Sequence, residues 1–100
     1  MILKWKRDTR SNSNGCLLKI PNPVEPEYPY KLRLTVFDLL SSDEREKKPE
    51  PNRRFRAHAD LEGRELFRLW APTQEEAIEQ TEDGLRKFVL SLITAVGGIT

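Results

Sequence analysis

The residues able to act as nucleophile, base or metal ligand are few in this chain and far apart. His58 is its only histidine and Cys16 its only cysteine. A Cys–His pair needs both side chains within hydrogen-bond reach and a third group to orient the base, and the spacing supplies neither. Cys16 alternates with Leu18 and Ile20, the pattern of a small buried hydrophobe in a strand. His58 alternates with Arg56 and Asp60, on the face away from Phe55 and Ala57, and reads as a solvated strand residue. Zinc requires clustered Cys, His or carboxylate ligands. The carboxylates Glu75, Glu76 and Glu79 are better explained as charges at a helix start. No Gly-rich phosphate loop, Walker pattern or nucleophile elbow occurs. The expectation is a non-enzymatic protein with no catalytic residue, no metal site and no cofactor.

Two groups of residues could carry binding instead. Arg54, Arg56, His58, Leu66, Arg68 and Trp70 fall on one face of a hairpin over 54–70, opposite Phe55 and Phe67. Arginines interleaved with an indole on an open sheet suit stacking and phosphate contact in single-strand nucleic-acid binders. The same side chains are enriched at protein hot spots. The plainer alternative is that Trp70 folds under the chain or packs on the N-terminal strand. The second group lies near the C-terminus, where Leu90, Ile93 and Val96 add apolar surface beyond one helix stripe. That excess suits a homodimer or partner contact, or a core that also takes in the N-terminal strands.

Charge decides between the binding classes. The chain has 17 Lys+Arg against 16 Asp+Glu, whereas domains held to nucleic acid by bulk electrostatics carry a clear basic excess. A protein partner is therefore the expectation, with single-stranded nucleic acid as the alternative. The charges are segregated, with a basic first segment and acids at the start of the last third, a polarity that can steer a partner. A single cysteine and no signal-peptide pattern point to a reducing, cytoplasmic setting. The longest apolar stretch, Phe88 to Val96, is interrupted by Ser91 and Thr94 and is shorter than the ~20 residues a bilayer needs.

The elements that must position these residues follow from periodicity. At 100 residues the chain has room for one core. Ile2 to Arg7 alternates, with Leu3 and Trp5 on one side. Ser11 to Gly15 is turn chemistry, with Asn14-Gly15 supplying positive φ, and Cys16 to Ile20 returns as a second strand. Four prolines between Pro21 and Pro29 indicate an extended connector. Lys31 to Leu39 alternates again, with Leu32, Leu34 and Val36 on one face. Ser41 to Asn52 has no apolar residue and should be a mobile loop within a single domain spanning 1–100.

For the 54–70 hairpin, a three-residue loop Leu61-Glu62-Gly63 pairs Asp60 with Arg64 and sets Phe55 across from Leu69 and Ala57 across from Phe67. It places Arg54 opposite Trp70 and Arg56 opposite Arg68. A two-residue Glu62-Gly63 loop would oppose Asp60 with Glu65 and put Arg68 beside Ala57, so charge and burial favour the longer loop. After Pro72, Thr73-Gln74-Glu75-Glu76 is a capping box. Apolar residues at helical spacing run from Ala77 to Val96, and Gly97-Gly98 supplies the stop. Gly84 lies on the same stripe as Ala77, Thr81 and Phe88, which implies close approach to the sheet. The fold class expected is α+β: an antiparallel β-meander of about four to five strands with one long C-terminal helix packed across one face.

Thr73-Gln74-Glu75-Glu76-Ala77 with Leu85 resembles the start of the helix in HicB-type antitoxins, where a strand pair leads into a similar helix. The likeness covers under a fifth of the chain. The Pro- and Gly-bearing loop of that family is missing, since Trp70 runs straight into Ala71-Pro72. The resemblance implies an antitoxin as a further alternative. In architecture alone, a sheet followed by one long helix is similar to the PC4 and Whirly single-stranded-DNA binders.

Overall fold

Alternating apolar residues need a partner face, and in the computed structural model the helix supplies it. The structure describes residues 3–8, 12–41 and 50–97. Five strands, β1 (Lys6–Asp8), β2 (Ser13–Ile20), β3 (Tyr30–Asp38), β4 (Phe55–Leu61) and β5 (Arg64–Ala71), form one sheet in the order β1-β2-β3-β4-β5. Every neighbouring pair is antiparallel, so the sheet is a meander. Helix α1 (Gln74–Ala95) packs across one face, giving the α+β fold that the periodicities indicated.

The inward face is built from Cys16, Leu32, Leu34, Val36, Ala57 and Ala59, all buried, and the helix answers with Ala77, Ile78 and Thr81. The alanines leave room for the helix backbone. At Gly84 a Cβ would stand 3.1 Å from two ring carbons of Phe67, tight enough that a side chain there would push the ring. Thr73 caps the helix by accepting the Glu76 amide at 3.2 Å, which satisfies one of the free N–H groups of the first turn. Gly97, at φ +97°, ends it in the left-handed conformation that glycine adopts without strain. The segment before β1 also joins the core: Leu3 and Trp5 pack against the inward face.

Three local expectations need correction. Asn14 and Gly15 lie inside β2, paired with Arg7 and Lys6. The positive φ of that turn belongs to Asn12, at 50°. The proline-rich connector is compact rather than extended, because Asn22 Oδ1 accepts the amides of Val24 and Glu25 and its Nδ2 donates to the Tyr28 carbonyl, an Asx turn. The loop expected over 41–52 lies outside the described residues from 42 to 49. Pro51–Arg53, at its end, form a 3-10 turn.

The hairpin register is the third. The turn is the two-residue Glu62-Gly63, with φ of 50° and 83°, the left-handed pair of a type I′ turn whose twist suits a hairpin. Leu61 pairs with Arg64 and Asp60 with Glu65, and then the register shifts so that Ala59 pairs with Phe67. Leu66 is the extra residue of a β-bulge. The bulge reverses the alternation of the rest of β5, so Ala57 faces Leu69 and not Arg68. The like-charge pair is relieved by Arg68, whose Nε donates to Glu65 at 2.7 Å, and the His58 ring nitrogens lie 3.8 Å from Asp60 and from Glu65.

Candidate binding face of the sheet

The helix covers one face of the meander, and no described element covers the other. Register arranges the open face in rows across the strands. One row runs Asp8, Ser13, Phe37, Arg56, Trp70, and the next runs Lys6, Gly15, Thr35, His58, Arg68. Beyond them come Leu17, Arg33, Asp60 and Glu65, then the cross-strand pair Lys19 and Lys31.

The structure therefore brings Arg56, His58, Arg68 and Trp70 together, as expected, but on different opposite numbers. Arg56 faces Trp70 and His58 faces Arg68. Leu66, expected on this face, is on the other: as the bulge residue it packs with Leu61 and Leu85 against the helix-side core. Arg54 leaves the row too. It precedes β4 in helical conformation, and its Nε and Nη2 donate to Asp38 Oδ1 and Oδ2 at 3.1 and 3.0 Å. That two-pronged contact, against some opposing burial, holds the Asp38 carboxyl below its ordinary value.

Arg53 takes the place expected of Arg54, with its guanidinium carbon 4.3 Å from the centroid of the Trp70 ring. Arg56 lies 5.5 Å over Phe37, and its Nε is enclosed with no hydrogen-bond acceptor among the described residues. Phe37 also meets His58 edge to face, with centroids 5.6 Å apart. The result is a cluster of two aromatic rings and two guanidinium groups in cation–π contact. His58 is half-buried within it rather than fully solvated. Glu65 is held below its ordinary value, first by its hydrogen bond with Arg68 and then by the charges of Arg68, His58 and Arg56.

Phe37, Arg53, Lys6 and Arg33 escaped the reading of the hairpin because they come from outside it. The alternation Arg33, Thr35, Phe37 was a legible signal for two of them. A shallow depression of about 330 Å³ opens between β1, β2 and β3, bordered by Lys6, Ser13, Gly15, Leu17, Arg33 and Thr35. Cys16 also borders it, but the residue is buried. Burial, and then the Glu82 carboxylate, push its thiol up, away from the thiolate that a nucleophile needs.

At the far end of the molecule Leu90 is 58% and Val96 75% exposed, while Ile93 is half-buried. Among the described residues no group of three or more His, Cys, Asp or Glu could hold a metal ion, and no helix is long and apolar enough to cross a membrane. No protein-family model matches the chain, and comparison with curated proteins and with solved structures finds no match.

Proposed function

We propose that this is a small, non-enzymatic, cytoplasmic binding protein that meets a protein partner through the open face of its sheet. The observation that carries the reading is the Phe37–Arg56–Trp70 row with Arg53 stacked on the indole. Arginine and aromatic side chains in mutual contact are the composition of protein hot spots. Carboxylates are interleaved with the cations: Glu65 binds Arg68, and Asp60 lies level with Arg33 across the strands. A face carrying both signs suits a partner surface carrying both. A phosphate backbone would be repelled by the acids.

A second reading, a single-stranded nucleic-acid binder, is favoured by one feature. Lys19 and Lys31 face each other across β2 and β3, with Arg33 nearby, and like charges opposed on a sheet are relieved by an anion.

Titration with a single-stranded oligonucleotide, followed by tryptophan fluorescence, separates the two. The protein reading expects no change in emission at physiological salt. It also expects a specific partner, captured from nuclease-treated lysate, to be lost with Trp70→Ala and with Arg56→Ala while both variants stay folded. Quenching that disappears in Trp70→Phe, with affinity falling steeply as salt rises, would establish the nucleic-acid reading and overturn the first.

A further inference from the structure

The core-facing stripe of α1 outruns the sheet. Ile78 and Thr81 are buried and Leu85 half-buried, but the same stripe continues as Val89, Leu92 and Val96, which are exposed. From Phe88 to Val96 the chain has no charged residue, so this part of the helix has no solvating face of the ordinary kind. A helix apolar around most of its circumference belongs inside something. It stands between two grooves. One, of about 370 Å³, is lined wholly by Tyr30 and apolar side chains, among them Ile20, Leu61, Leu66, Phe88 and Leu92. The other, of about 320 Å³, lies along the opposite flank, between Leu3 and Leu90.

We infer that this end of the molecule is the interface of a homodimer, with the C-terminal half of α1 of one copy seated in the apolar groove of the other. The surface is complementary to itself, because an apolar ridge and an apolar groove adjoin on one molecule. A two-fold axis then fills both grooves at once, the isologous geometry of most dimers. Ile20, Tyr30, Val89, Leu90, Leu92 and Val96 are all exposed. Together they present on the order of 500 Å² of apolar surface, near the top of the ~300–600 Å² of the largest patch on a typical monomer and over half of the ~800 Å² per partner of a standard interface. A net charge of +1 sets up little repulsion between two copies. An uncharged patch also has no electrostatic means of choosing a charged partner over a second copy. This interface is independent of the open sheet face.

Sedimentation equilibrium on the full chain tests the inference, at concentrations up to about 100 μM, well above the ~1 μM dissociation constants of modest specific interfaces. The expected mass is twice the 11.6 kDa of the single chain. Leu90→Glu and Val96→Glu, both on exposed positions, should each return it to the monomer with an unchanged circular-dichroism spectrum, while Trp70→Ala should leave the dimer intact. A wild-type protein that stays monomeric throughout overturns the proposal. So does a dimer that neither glutamate weakens, or a monomer whose groove takes up an apolar fluorophore displaced by a fatty acid.

Discussion

The indole Nε1 of Trp5 donates to Oε2 of Glu82 across 3.1 Å, and the backbone amide of Leu3 donates to the same oxygen at 2.7 Å. Glu82 is 7% exposed, so the contact fastens the segment before β1 to the middle of α1. A buried carboxylate is tolerated only where donors meet it, and here two of them come from the other end of the chain. Glu82→Ala should cost about 1–3 kcal/mol, because it strands two donors in a partly buried place. Glu82→Gln, which keeps an acceptor oxygen, should cost less. Urea unfolding measures both, and equal stability of wild type and Glu82→Ala would mean that the N-terminal segment is not held this way.

The Asp38–Arg54 contact makes stability depend on acid. The carboxyl of Asp38 is lowered from its ordinary 3.8 in the folded state. Its contribution is therefore complete above that value and is lost as pH falls through the lower folded-state value. Unfolding midpoints should drop as pH falls below 3.8. Asp38→Asn should be less stable than wild type at pH 6 and show a shallower acid loss. A parallel pH profile in the variant would count against the pairing.

Arg53 shields the Trp70 ring. Arg53→Ala should raise quenching of tryptophan emission by acrylamide, with a stability cost of about 0.5–1 kcal/mol for an exposed cation–π contact. Unchanged quenching would place the guanidinium elsewhere.

Thr73→Ala should destabilise by about 1 kcal/mol through the unpaired Glu76 amide, while Thr73→Ser is close to neutral. Denaturant melts that fail to separate the two variants would move the start of the helix.

Gly84 sets the helix-to-sheet distance. An alanine there gains helix propensity of about 1 kcal/mol but must displace the Phe67 ring, whose carbons lie 3.1 Å from the new methyl. The gain should be largely cancelled. Gly84→Val should cost about 1–3 kcal/mol by overpacking. A fully stabilising valine would show that the ring yields freely.

What the sequence determined by itself is local and periodic. Leu32, Leu34 and Val36 could face only one way, because a strand alternates with period two. Thr73 with Glu76 marked the helix start, since a capping hydroxyl bonds an amide three residues on. Gly84 announced a close approach on the helix stripe. The order of the meander followed from the tendency of successive strands to lie side by side. Tertiary structure alone decided the hairpin register. Pairwise charge and burial argued against the two-residue turn, because Asp60 then meets Glu65. The bulge at Leu66 reversed the pattern after that pair, and it let Leu66 and Phe67 both pack on the core. Arg68 supplies the compensating charge to Glu65, and Asp60 is set level with Arg33 of β3. One inserted residue inverts every side chain beyond it, and whether that cost is met depends on neighbours that no local window contains. The same holds for Glu82, whose spacing marks it as one more acid of a helix start, while its burial depends on donors from the other end of the chain.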